Sequence, residues 1–254
     1  MTSPVRLDGR RVLVTGAARG LGAAFAAAAL AAGARVALAD ILTDRAEETA
    51  AQLRAAGGEA FALPLDLADP GSIERCAREA ARRLDGLDGL VNNGAIATGI
   101  GGKDLDEIDI DTWDRVMTVN VRGTWLMTRA CRAALKAAGN GKVLNIASDT
   151  ALWGAPRLMH YVASKGAVIA MTRSMARELG ADGIAVNAIA PGLTLGEATD
   201  YVPEERKALY VNGRAMQREQ IAEDTVGPAL FMLSAAADFV TGQTLPVNGG
   251  FVFN

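Results

Sequence analysis

Arg11-Val12-Leu13-Val14-Thr15-Gly16-Ala17-Ala18-Arg19-Gly20-Leu21-Gly22 is the stretch that decides the fold. A short run of branched apolar residues reads as a buried strand, and the alanine-rich segment that begins at Gly20 reads as a helix. Between them the glycines allow a tight turn, so backbone N–H groups at a helix start can approach an anion such as a pyrophosphate. A glycine-rich turn alone is weak evidence, because turns use glycine for many reasons. Its place after a first strand gives it weight.

Working outward, strand and helix patterns alternate. Strands are expected at 35–39, 60–65, 87–91, 142–147, 184–190 and 243–247, with helices at 20–33, 44–56, 70–84, 111–138 and 221–234 and one that carries Tyr161 and Lys165. Such alternation predicts an α/β fold, a Rossmann-type doubly wound parallel sheet of seven strands with helices on both faces. Ligands then bind at the carboxyl ends of the strands. We expect one dinucleotide-binding and catalytic domain over residues 1–254, since no Pro-, Gly- or Ser-rich linker divides the chain. Segment 98–111 reads as a solvated connector beside the cleft, and 193–220 reads as a substrate lid.

Composition excludes several classes of function. Twenty-six basic and 29 acidic side chains give a net charge of −3, which offers no footprint for nucleic acid or an anionic membrane. The polar start of the chain, Met1 to Arg10, lacks the apolar core of a signal peptide, and no apolar run spans a bilayer; the expectation is a cytoplasmic protein. Cys76 and Cys131 fall in expected helices and read as small buried apolar residues. With His160 as the only histidine, a multi-histidine metal site is impossible, and no metal is expected.

Tyr161 and Lys165 stand four residues apart, on one face of a helix. Lowering a phenol by about three units takes roughly 4 kcal/mol, and an ammonium in a dry cleft supplies much of that. The same spacing also describes a ring packed beside a solvated lysine, so the catalytic reading depends on a cofactor site. Asp40, at the end of the second strand and about twenty residues beyond the glycines, is placed to meet an adenosine ribose.

Taken together, the turn with Gly16, Gly20 and Gly22, then Asn92-Asn93-Gly94-Ala95, Asn120, Ser148, Tyr161 with Lys165, and Pro191-Gly192, resemble the short-chain dehydrogenase/reductase family. The likeness runs from about Leu7 to Asn254 and is to the short oxidoreductase branch. It implies Tyr161 as general acid–base, Lys165 as the residue that lowers its pKa and holds the nicotinamide ribose, Ser148 as the hydroxyl that orients substrate, and Asn120 as anchor of a relay water. It further implies cofactor contacts from Gly16, Arg19, Gly20, Leu21, Gly22, Ile41, Asp66, Leu67, Asn93, Gly94, Pro191, Gly192, Leu193 and Thr194. One departure stands out. The family order is Asn-Asn-Ala-Gly, whereas here Gly94 precedes Ala95.

Arg19 occupies a position where some relatives bind the extra phosphate of NADP, while Asp40 suits the free ribose hydroxyls of NAD. A hydrogen bond to a charged group contributes about 1.5–3 kcal/mol, and a phosphate beside Asp40 would meet like charge, so NAD is the expected cofactor over NADP. Leu152, Trp153, Met159, Leu195, Tyr201 and Tyr210 flank the expected cleft and suggest a fairly apolar or ring-bearing secondary alcohol or ketone. The same six residues also suit packing within the lid. The apolar tail from Asn248 to Asn254 suits a subunit contact, and the resemblance implies a homotetramer. Two other readings stand beside the alcohol dehydrogenase: a 3-oxoacyl thioester reductase, which would normally prefer NADP, and a dinucleotide-sensing protein without turnover.

Overall fold

The structure is a computed structural model and describes residues 5–253; residues 1–4 and 254, parts of the polar start and apolar tail discussed above, lie outside the described residues. Seven parallel strands, β1 (Arg11–Thr15), β2 (Arg35–Asp40), β3 (Ala60–Pro64), β4 (Gly89–Asn92), β5 (Gly141–Ile146), β6 (Ile184–Pro191) and β7 (Thr244–Val247), form one sheet in the order β3-β2-β1-β4-β5-β6-β7. The order reverses between β1 and β4. The carboxyl ends of these two strands therefore diverge into a crevice, where open α/β sheets take their ligands.

Alternation along the strands gives each face its own core. Leu13, Leu90 and Val143 pack with α3 (Pro70–Leu84) and α5 (Thr124–Ala137), whereas Val12, Val14, Val91 and Leu144 pack with α1 (Gly20–Ala31) and α9 (Glu223–Leu233). Both faces are covered, which is why the strands read as continuous apolar runs. Cys76 and Cys131 are buried in the first of these cores, and burial raises both thiols. The second helix, α2 (Thr43–Ala55), buries Ala46 and Ala50. Small side chains bring α1 close to the sheet: its buried residues are Gly22, Phe25, Ala26 and Ala29. Asp69 caps α3 by accepting from the Gly71 amide, and Pro70 occupies the first turn, where no donor is lost.

One expectation is corrected in detail. The helix expected over 111–138 is two helices, α4 (Ile110–Met117) and α5, joined by a π-helical turn at Thr118–Gly123 that contains Asn120. A π turn inserts a residue and re-aims the side chains that follow it, a device common at functional sites. Segment 193–220 is partly helical: a 3₁₀ turn at Glu197–Thr199 is followed by α8 (Glu204–Gly213). The remaining helices are α6 (Thr150–Trp153) and α7 (Met159–Leu179), and α7 carries Tyr161 and Lys165.

Candidate active site

At the end of β1 the chain turns through Gly16 and Gly20, with φ of 65° and 56°. A Cβ at Gly16 would lie 2.6 Å from the Gly94 Cα, and one at Gly22 would lie 2.0 Å from the Gly16 carbonyl oxygen, so both contacts require glycine. Above Gly20 the space is open. The turn is held from below. Asn93 donates through Nδ2 to the carbonyl oxygens of Thr15 and Gly16 at 3.0 and 2.9 Å, and the Thr15 hydroxyl accepts from the Asn93 and Gly94 amides at 3.0 Å each. The side chain of Asn93 thus braces the glycine turn.

Gly94 occupies the crowded position of its pair. A Cβ there would lie 2.8 Å from Leu67 Cδ1 and 3.3 Å from the Gly16 amide nitrogen. The reversed order Gly94-Ala95 therefore keeps glycine where the turn, β4 and Leu67 converge.

Asp40 accepts from the Ala18 and Leu42 amides at 2.9 Å each, so its carboxylate ties β2 to the glycine turn. Arg19 faces Glu197 of the 193–220 segment, and Arg45 meets the same carboxylate with Nη1 to Oε1 at 2.9 Å. Both arginines hold the Glu197 carboxyl well down, at about 2. Asp66 accepts from the Ala68 amide at 2.8 Å, a strand-end cap, and Ile41 is exposed beyond β2.

The second group of residues lies at the ends of β5 and β6. Ser148 follows β5 and accepts from the Thr150 hydroxyl at 2.9 Å. Its hydroxyl favours ionisation of the Tyr161 phenol. Lys165 is buried and donates from Nζ to the Ile146 carbonyl oxygen at 2.6 Å, with Nζ 5.7 Å from the Tyr161 ring centre. Burial lowers Lys165 to about 8. The expected lowering of Tyr161 is not what this geometry gives: burial pushes the phenol up to about 12, the Ser148 hydrogen bond opposes this, and the charges of Asp149 and Tyr201 add to it. The ammonium does not figure among the groups acting on the phenol; it is directed to a backbone carbonyl.

Asn120 accepts from the Ile96 amide at 2.7 Å and donates to the Ile96 carbonyl oxygen at 3.0 Å and the Ser164 hydroxyl at 3.1 Å. Ser164 in turn donates to the Tyr161 carbonyl oxygen at 2.7 Å. The side chain of Asn120 thereby joins the loop after β4 to α7. His160, one residue from Tyr161, is fully buried, and neither ring nitrogen has a protein partner.

Pro191 ends β6, and Thr194 donates to the Gly192 carbonyl oxygen at 3.1 Å. Leu193 and Gln220, the two ends of the segment expected to be a lid, are clamped by Arg214, which donates to the Leu193 carbonyl oxygen at 2.7 Å and to Gln220 Oε1 at 3.2 Å. Of the residues expected to line the cleft, Trp153 and Tyr210 pack with Phe251: the Tyr210 and Phe251 rings stack at 4.6 Å, and both meet Trp153 edge-on at 6.1 and 5.4 Å. These two are therefore committed to the base of the segment. Thr15, Asp149, Glu197, Arg214 and Asn248 were not anticipated. Asp149 adjoins Ser148 and could have been suspected, but the pairing of Arg214 with both ends of its segment has no local signal.

The whole chain compares closely with known proteins. The profile of a family described as enoyl-(acyl carrier protein) reductase matches residues 16–252. Sorbitol dehydrogenase of Cereibacter sphaeroides is 40% identical, with 97% of this chain and 98% of the relative covered. Galactitol 2-dehydrogenase of Agrobacterium fabrum is 36% identical over 97% of this chain and 98% of its own. Among solved structures, a gluconate 5-dehydrogenase from Burkholderia cenocepacia in complex with NADP and tartrate superposes with a TM-score of 0.91 at 33% identity, covering 97% of this chain and 96% of that one. The chain belongs to the short-chain dehydrogenase/reductase family.

Proposed function

We propose that the protein is an NAD(H)-dependent oxidoreductase that interconverts a secondary alcohol and a ketone, with 193–220 as the lid of a single catalytic domain. The observation that carries this reading is the Ser148 hydroxyl acting on the Tyr161 phenol beside the buried Lys165 ammonium, which lies 5.7 Å from the Tyr161 ring centre. The glycine cradle fits a dinucleotide, because a Cβ at Gly20 would project into open space beside the helix start while Gly16 and Gly22 allow close approach. Gly16, Gly20, Leu21, Gly22, Asn93 and Gly94 would border the pyrophosphate, Asp40 and Ile41 the adenosine, and Pro191, Gly192, Leu193 and Thr194 the carboxamide. When bound, nicotinamide supplies the hydride chemistry.

The residues of this chain handle the proton. In ketone reduction the Tyr161 hydroxyl gives its proton to the developing alkoxide, and the Ser148 hydroxyl donates a hydrogen bond to the same oxygen. In alcohol oxidation the proton moves the other way: Tyr161, having first lost its own proton, accepts that of the alcohol, and Ser148 keeps its hydrogen bond to the same oxygen. The Lys165 ammonium has three protons, one of them given to Ile146; the others suit ribose hydroxyls and a relay past Asn120.

Asp40 supports the preference for NAD, and Glu197 adds to it by engaging Arg19 and Arg45, the cations a ribose phosphate would use. The named activities of the sorbitol and galactitol relatives point to hydroxylated substrates, whereas Met159, Leu152 and Leu195 favour apolar ones. Mixing the protein with NAD or NADP and a panel of polyols and cyclic or aryl alcohols, and following the absorbance of reduced nicotinamide, tests the reading. Turnover with NAD that falls at least a thousandfold in Tyr161→Phe is expected; full activity in that variant refutes the mechanism. Cofactor binding without turnover across the panel would favour a dinucleotide sensor, and turnover of 3-oxoacyl thioesters alone would favour a 3-oxoacyl thioester reductase.

No helix among the described residues is long and apolar enough to cross a membrane. A cytoplasmic homotetramer is the assembly we infer, supported by exposed Phe239, Leu245 and Phe253 near the last strand. A sedimentation measurement giving a monomer at micromolar concentration would overturn it.

A further inference from the structure

Asp149 is completely buried directly after Ser148, and neither carboxylate oxygen makes a hydrogen bond of ordinary geometry to the protein. Leaving a buried carboxylate in this condition is costly, so its surroundings indicate what it is for. Its amide donates to the Pro191 carbonyl oxygen at 3.0 Å, which turns the side chain beneath the Pro191-Gly192 turn. A Cβ at Gly192 would lie 3.0 Å from Asp149 Oδ2 and 2.9 Å from Gln220 Oε1, so Gly192 leaves just enough room for the carboxylate.

Groups from four elements act on it or feel its charge. The Thr150 amide, Asn248 after β7, the Tyr210 hydroxyl on α8 and the charge of Arg214, at the end of α8, all favour its ionised form. Arg214 is itself buried, with Nε unpartnered. From α7, Tyr161 feels the carboxylate charge. Further out, Arg218 pairs with Asp224 through Nη2 and Oδ1 at 2.6 Å, and Arg206 acts on Tyr210.

We propose that Asp149 is a positioning residue whose charged carboxylate holds Arg214 and Tyr210, and through them keeps the 193–220 segment closed over the cleft. Arg214 ties Leu193 to Gln220, so the counter-charge of Arg214 governs both hinges together. Tyr210 is stacked on Phe251 and edge-on to Trp153, so its hydroxyl connects the carboxylate to the aromatic base of the segment. Burial raises the carboxyl to about 7 against the pull of Arg214, so it gains and loses its proton near neutrality. The segment would then be held on the alkaline side and loosened on the acid side. Closure would coincide with the pH range that favours alcohol oxidation, a reaction that releases a proton. The inference rests on reading 193–220 as a lid and on no choice of substrate or cofactor.

Amide hydrogen exchange of the full chain over 193–220, corrected for the intrinsic effect of pH, tests this from mildly acid to mildly alkaline solution. Wild-type protein should exchange several-fold more slowly on the alkaline side, with one transition near neutrality, and Asp149→Asn should exchange fast at every pH. Tyr210→Phe keeps the ring stack but removes a donor to the carboxylate, so its transition should move to higher pH; His160→Gln should leave it in place. A wild-type segment whose exchange does not change, a transition that survives Asp149→Asn, or one lost in His160→Gln would each overturn the proposal. Should Asp149→Asn not fold, an unmoved transition in Tyr210→Phe is the refuting result. These readouts require no turnover, so failure here is distinct from failure of the proposed activity.

Discussion

Tyr201, on the 193–220 segment, donates its hydroxyl across the crevice to the Ala97 carbonyl oxygen at 2.9 Å. It is a tie between the outer part of the segment and the loop after β4. Tyr201→Phe keeps the ring and removes the bond, at a cost of about 1 kcal/mol, or roughly fivefold in the equilibrium between closed and open segment. KM for the alcohol should rise by about that factor while cofactor affinity changes little, as steady-state kinetics can measure.

Lys165 gives a prediction on stability with a definite sign. Its folded pKa, about 8, lies below the ordinary lysine value of 10.5, so the folded state binds fewer protons between these pH values. The burial penalty is therefore fully present below pH 8 and disappears as pH rises toward 10.5. It amounts to about 3 kcal/mol by linkage, offset in part by the bond to Ile146. Lys165→Met should raise Tm at neutral pH, with a smaller gain at alkaline pH, while turnover falls at least a hundredfold. A thermal melt showing clear destabilisation at neutral pH would contradict this.

Asp40 has two tasks, so Asp40→Ala should show both. Loss of its bonds to the Ala18 and Leu42 amides should destabilise the protein by about 1–2 kcal/mol. Removing the carboxylate should also bring the kcat/KM ratio of NAD to NADP down by at least tenfold. Adding Glu197→Gln should lower it further, because Arg19 and Arg45 then lose their shared partner. A ratio unchanged in both variants would reject the assignment of Asp40.

Gly94→Ala tests the reversed pair. The added methyl meets the flexible end of Leu67 and then the Gly16 amide, so Leu67 must shift and the glycine turn must yield by a few tenths of an ångström. Dinucleotide affinity, followed by fluorescence titration, should drop about tenfold. Leu67→Ala in the same chain should recover part of the loss by removing the first obstacle.

The parallel sheet and the helix layers on both its faces were legible because alternating strands buried on two faces leave continuous apolar runs, as in Val12-Leu13-Val14. Where sequence reading fell short, the cause was nonlocal. The π turn at Asn120 has helical periodicity on both sides and no proline within it. For Lys165, helical spacing placed the ammonium beside Tyr161 correctly, but its donation to Ile146 depends on a strand nineteen residues earlier. For Asn93, the donation of its side-chain amide to Thr15 and Gly16 reaches partners more than seventy residues away.

Behind the crevice, Asn92 on β4 donates to Asn145 on β5 at 2.9 Å, and Asn145 donates to Thr172 on α7 at 2.9 Å. All three side chains are buried, and Asn92 and Asn145 are also register partners in the sheet. Apolar strands such as these could slide past one another at little cost, but a slip of a single residue here would strand the amides in the core. The row works as a proofreading mark: it pins the alignment of β4, β5 and α7, and with it the placing of Ser148 after β5 against Tyr161 and Lys165 on α7.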